Sequence, residues 1–195
     1  MKVHLGYRIG SEEGGLHYGV IVDVKNDLSS PTATIIPFTS LKPGKDIGKL
    51  HRSQVYIGNE IYELLCKKIN KEIDETNAMR NRIKDAIKDA TTSASAATDS
   101  LQNSSVDISD LGAQIKKWNE KLSICEKMHR QIQGMKTGSI ALVGQITTVS
   151  KIRIYDPIYP SDTLSNIRLS NETMDKLDKK VKELFTNPNL KEKNV

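Results

Sequence analysis

A change of period divides this chain. From Tyr62 through Leu65, Ile69, Ile73, Ile83, Ile87, Ala90, Ala94 and Ala97 to Leu101, apolar residues mostly recur every three or four positions, the repeat of a helix that buries one stripe. Asn59 is placed to cap its start. Ile108, Leu111, Ile115, Trp118, Leu122, Cys125, His129 and Ile132 then step 3, 4, 3, 4, 3, 4, 3, an a/d seam. A Ser/Thr/Ala-rich stretch at 91–105 lies between them. Two such helices in succession predict a long antiparallel hairpin that reverses near Leu101.

With that reversal Cys66 lies about 35 residues from the turn and Cys125 about 24, out of register for a bridge. Neither has metal-ligand spacing, so two reduced thiols in a reducing compartment are expected. His129 is read as a packed or capped side chain and Trp118 as a core anchor.

On both sides of the helical stretch the period is that of strands. Val3, Leu5, Tyr7 and Ile9 alternate with polar or small residues, a half-buried strand. An acidic, double-glycine loop from Gly10 to Gly15 leads through His17-Tyr18 into an apolar strand, Val20 to Val24. A polar turn closes at Pro31, and a second apolar strand, Thr34 to Phe38, delivers Thr39, Ser40 and Lys42. Lys42, Lys45, Lys49 and Arg52 then fall within eleven residues opposed only by Asp46, and Gln54 to Ile57 is a short strand that Gly58 stops. After Met135, Ser139 to Val143 reads as a buried strand and Gln145 to Ile154 as an alternating one. A last helix starts at the N-cap Ser170, with Leu169 and Met174 placed as a staple and Met174, Leu177, Val181 and Leu184 on one face.

Strands before and after the insertion must pair to bury their apolar faces. The expected organisation is therefore one discontinuous β domain at 1–57 and 138–188, a helical insertion at 58–137 and a mobile tail at 189–195. The net charge of +5 is uneven: Lys and Arg against Asp and Glu count 7 to 5 over 1–57, 13 to 12 over 58–137 and 9 to 7 over 138–195. The surplus belongs to the flanks and favours a polyanionic partner. No signal peptide and no membrane-spanning run is evident, so a cytoplasmic protein is expected.

GSEEGG before an apolar strand, SPTATIIPFTS, SIALVGQITTVSK and the closing LSNETMDKLDKKVKELF, in this order, resemble the PemK/MazF family of toxin endoribonucleases over residues 1–57 and 138–186. The hairpin resembles a longer branch of that family. The resemblance implies an α+β chain built on a small SH3-like barrel, usually a homodimer, that cleaves single-stranded RNA without metal or cofactor and is restrained by a cognate antitoxin, here a protein rather than an RNA. Matching positions are Thr39, Ser40, Gln145 and Thr148. Where compact members carry Arg-Pro after the Gly-Gly loop this chain has His17-Tyr18, and where they carry Arg after Gln-Ile it has Thr147.

Metal-free cleavage by the 2′-hydroxyl, giving 2′,3′-cyclic phosphate and 5′-hydroxyl ends, needs a base, an acid and groups that stabilise phosphorane charge. The expected catalytic set is His17, Thr39, Ser40 and Lys42, since imidazole serves as acid or base near neutral pH. Thr39-Ser40-Leu41-Lys42 also resembles the Thr-Ser-x-Lys arrangement of related toxins paired with RNA antitoxins. The expected RNA-binding set is Tyr18, Gln145, Thr148, Ser150, Lys151 and Arg153, with Arg153 able to clamp a phosphate. No residue is assigned to a metal. The alternatives are a non-catalytic RNA-binding or regulatory module of the same fold with the hairpin as an interaction arm, and an interaction protein on a barrel scaffold.

Overall fold

In a computed structural model, residues 1–27, 29–96, 108–136 and 138–186 are described. They form an α+β chain that falls into two compact units, Met1–Leu65 with Met135–Val195, and Cys66–Gly134. The first holds a seven-stranded antiparallel sheet: β1 (Lys2–His4), β2 (Leu16–Ile21), β3 (Thr32–Ser40), β4 (Gln54–Gly58), β5 (Ser139–Leu142), β6 (Thr147–Ser150) and β7 (Ile154–Asp156). Across the sheet the order is β4, β5, β3, β2, β1, β7, with β6 also paired to β3. The hydrogen-bonded order ends at β4 and β7, so the ladder is open rather than a closed barrel.

β3 is the centre of this unit because both of its faces are apolar. Ala33 and Ile35 pack with Val3 and Val149, and Met1, Leu5, Ile21 and Ile154 lie against them. Ile36 and Phe38, on the opposite parity, are also buried. Pro37 sits mid-strand without cost. Its Cα partner Gly19 donates its N–H to Met1, away from β3, so the ring nitrogen of Pro37 faces the other side. There β3 passes from β6, paired as far as Ile35, to β5, paired from Phe38.

At the end of β4 the register with β5 shifts between Tyr56 and Gly58. Gly58 takes φ +65°, which a side chain would resist. The chain then enters α1 (Glu60–Ala96). The Asn59 carbonyl accepts the Glu63 N–H, while its side chain accepts the Gly138 N–H at 2.7 Å. α3 (Asn171–Phe185) packs against β4 and the turn after β5. Its expected cap is present, Ser170 accepting from the Thr173 N–H, and Leu177 is fully buried.

Three strand expectations change. β1 stops at His4, and Tyr7 and Ile9 stand in solvent, because Gly6 at φ +93° turns the chain out of the sheet. β2 spans Leu16–Ile21, leaving Val24 exposed. The run from Gln145 to Ile154 is not one strand: single turns of 3-10 helix at Val143–Gln145 and Lys151–Arg153 bracket β6.

The second unit contains the rest of α1 and α2 (Ile108–Gln133). They meet where Thr76 Oγ1 lies 3.6 Å from Cys125 Sγ and Lys121 Nζ reaches Glu75 at 2.6 Å and Glu72 at 3.5 Å. Eleven residues connect the helices, a reach of about 40 Å. A parallel arrangement with these contacts would need a return of roughly 55 Å, so the helices run antiparallel. Their seam is rotated from the expected one. Ile69, Thr76, Ile83, Cys125, Met128 and Ile132 are buried, whereas Ile73, Ile87, Ile115, Leu122 and His129 are exposed. Both seams share Ile69, Ile83, Cys125 and Ile132, and Lys121 faces Glu72 and Glu75 across this one. His129 is thus not packed; its Nε2 lies 2.8 Å from the Gln133 amide nitrogen. Leu101, Ala97 and the tail from 187 lie outside the described residues. Among the described residues, no helix is long and apolar enough to cross a membrane.

Candidate functional site

The loop from Leu5 to Gly15 leaves the sheet between β1 and β2, and its base is closed by backbone bonds from Leu5 to Gly15 and from Gly15 to Gly6. Inside it Gly14 lies against the Arg8 backbone, where a Cβ would come within 2.5 Å of the Arg8 nitrogen. That contact is why a glycine stands there.

Two side chains pin this loop to the sheet. Gln145, in the turn after β5, accepts the Glu13 N–H at 2.8 Å and donates to the Ser11 carbonyl at 3.2 Å. His17, on β2, has Nδ1 3.0 Å from the Phe38 carbonyl on β3 and Nε2 3.1 Å from the Gly14 carbonyl. Glu13 places a carboxylate oxygen 3.6 Å from the same Nε2, and the two side chains keep 17% and 30% of their exposure. Both ring nitrogens face oxygen acceptors, so only the imidazolium donates at both ends.

Tyr18 pairs with Phe38 across β2 and β3. The pairing of β2 with β3 ends there, one residue short of His17 and Thr39. Thr39 and Ser40 continue β3 beside Ile140 and Ser139, and Lys42 follows, exposed, where the chain leaves the strand. His17 thus reaches the end of β3 that leads into Thr39, Ser40 and Lys42, and Gln145 holds the loop before His17. Glu13 joins them. Its only mark in the sequence is a place in the acidic loop, and nothing there shows that it faces the imidazole.

Of the rest of the expected binding set, Thr148, Ser150 and Lys151 lie elsewhere. Thr148 and Ser150 pair with Thr34 and Thr32 at the opposite end of β3, and seven residues of strand separate Thr32 from Thr39, about 23 Å. There Thr148 Oγ1 is 3.4 Å from Thr34 Oγ1, and the Lys151 ammonium donates to the Asp27 carbonyl. Arg153 reaches over Gly6, its guanidinium 3.5 Å from where a Cβ would stand. The Tyr18 ring lies under the Lys2 ammonium at 5.7 Å from its centre. Thr148, Ser150 and Lys151 cannot line the same cleft as Thr39 and Ser40.

Close by, Asp23 accepts from the Thr34 N–H and from Asn26. Burial opposes its charge, but these bonds outweigh it and hold the carboxyl below its ordinary range. Lys151 thus belongs to a turn-holding group that includes Asp23 and Asp27 rather than to an open cation site.

No family model, no curated protein and no solved structure matches the chain.

Proposed function

We propose that this chain is a toxin-type endoribonuclease that cuts single-stranded RNA at the end of β3, its sheet unit being an open form of the small SH3-like barrel of the PemK/MazF toxins. The observation that carries the reading is the meeting of Glu13 and His17 beside the Phe38 carbonyl, the residue of β3 that leads into Thr39–Lys42. Such a gathering supplies an acceptor, a proton donor, hydroxyls and a cation within one neighbourhood, the groups that metal-free transesterification requires.

The roles follow from the contacts. In this reading Nε2, between the Gly14 carbonyl and the Glu13 carboxylate, is the working end of His17 and turns from Gly14 to donate its proton to the departing 5′-oxygen. Glu13 is the carboxylate beside it and accepts the 2′-hydroxyl proton. As the 2′-oxygen–phosphorus bond forms and the bond to the 5′-oxygen breaks, the Thr39 and Ser40 hydroxyls and the Lys42 ammonium stabilise the charge on the phosphorane oxygens. Gln145 acts through the loop, holding Glu13 in reach, and is a positioning residue. The family reading also brings a second copy of the chain and a protein antitoxin as partners.

A second reading has its own support. With both His17 nitrogens engaged by backbone carbonyls, the ring also serves as a fastener, as it would in a module that binds RNA without cutting it. Single-turnover cleavage of a single-stranded RNA by Glu13→Gln, His17→Asn, Thr39→Val and Lys42→Ala separates the two. The nuclease reading expects losses of roughly 100-fold or more for Glu13, His17 and Lys42, with folding intact by circular dichroism. Binding without cutting by the unaltered protein contradicts it and favours the second.

A further inference from the structure

The segment that follows the proposed site is not absorbed by it. From Lys42 to Gln54 the chain makes three successive turns, closed by backbone bonds from Lys45 to Lys42, Lys49 to Asp46 and Gln54 to His51. Lys42, Lys45, Lys49, His51 and Arg52 are all exposed on this ridge. Its one carboxylate, Asp46, is turned back to accept the Gly48 N–H at 2.8 Å. The cations are therefore carried on a folded backbone at set spacings, which lowers the ordering cost of binding.

α3 packs against β4, the strand that follows the ridge. Glu183 has its carboxyl held below the ordinary range, first by the bonded Lys180 and further by Lys179 and Arg52. Lys180 holds that carboxylate at 2.6 Å, and Lys179 stands exposed beside it on α3. From Lys42 to Arg52 four Lys and Arg residues stand against the single carboxylate Asp46, on a segment that begins at the end of β3.

We infer that the turn segment 42–52, together with Lys179 on α3, is a track for the phosphate backbone of single-stranded RNA on one side of the cleavage site. The choice of RNA rests on the nuclease reading; the polyanion chemistry rests on the cations alone. Backbone phosphates of a strand leaving the site meet one ammonium or guanidinium after another, and the contacts carry no base readout.

The test is a salt titration of binding. A fluorescent single-stranded oligouridine of about 12 nucleotides is bound by the unaltered protein, by the triple variant Lys45→Gln, Lys49→Gln, Arg52→Gln, and by Lys84→Gln, Lys88→Gln on α1 as control. Circular dichroism confirms that each is folded. Each phosphate contact contributes about 0.7 to the slope of log K against log salt for a single strand. The triple variant is expected to lower the slope by about 2 and to bind at least tenfold more weakly at low salt, the control to match the unaltered protein. A triple variant with an unchanged slope overturns the track. So does duplex DNA bound as tightly and with the same slope, which makes the ridge a general polyanion surface.

Cleavage is scored in parallel. RNA cut by a protein whose salt slope the triple variant does not move leaves the nuclease reading standing without the track. RNA bound with the expected slope change but never cut supports the track and sinks the nuclease reading.

Discussion

Gln145 joins the loop before β2 to the turn after β5, a separation of more than a hundred residues in the chain, through one bond accepted and one donated. Gln145→Ala is expected to cost about 1–3 kcal/mol in urea denaturation and to raise amide exchange at Glu13 selectively; unchanged exchange there contradicts the pinning role. Gly14→Ala meets backbone rather than a movable side chain, so a clear loss of thermal stability is expected. The N-terminal amine of Met1 donates to the Gly19 carbonyl, and burial, partly offset by Asp156, lowers its pKa from 8.0 to about 6. Between those values the unfolded chain holds the extra proton. Stability of the chain beginning at Met1 should thus rise from pH 6 to pH 8 by about 2–3 kcal/mol and then level off. Denaturation of N-terminally acetylated protein should lack that rise. His17 and Gln145 could be singled out from residue type and place. Their bonding could not, because it depends on carbonyls of Phe38, Gly14 and Ser11 that the chain's path alone brings near.

At the scale of elements, α3 is the most legible, since its cap and its apolar face are local signals. Ser170→Ala should cost about 1 kcal/mol, read from the denaturation midpoint. Glu60, at the start of α1, accepts from both the Ser170 N–H and the Thr173 hydroxyl, and no local pattern announces that link. Glu60→Ala should therefore destabilise more than an exposed helix-start substitution, and a double change with Thr173→Val should fall short of the sum of the two. β3 was legible from its β-branched run, but its length at both ends depended on partners. The first strand was overextended because alternation persists through Tyr7 and Ile9 after Gly6 has turned the chain. The helical seam was ambiguous for a different reason: phases through Ile115 and Leu122 or through Gln114 and Lys121 fit one helix almost equally. The buried side chains of Cys125, Met128 and Ile132 mark the phase taken, and Lys121 facing Glu72 and Glu75 accords with it.

At the scale of the molecule, two units share one chain, and within the first the Asn59 side chain is bonded to the Gly138 N–H. Replacing 66–134 by a short Gly/Ser linker should leave a sheet unit that melts cooperatively; a chain without a cooperative transition would show that the units depend on each other. The open sheet and the gathering at one end of β3 stand on the geometry described, whereas the nuclease reading stands on the chemistry those groups can perform together. The measurement that bears on it most directly is the chemistry of the RNA ends after incubation with the purified protein in EDTA. The account predicts 2′,3′-cyclic phosphate and 5′-hydroxyl ends that disappear with Glu13→Gln and Lys42→Ala. RNA that stays intact, or ends with a 5′-phosphate, contradicts it.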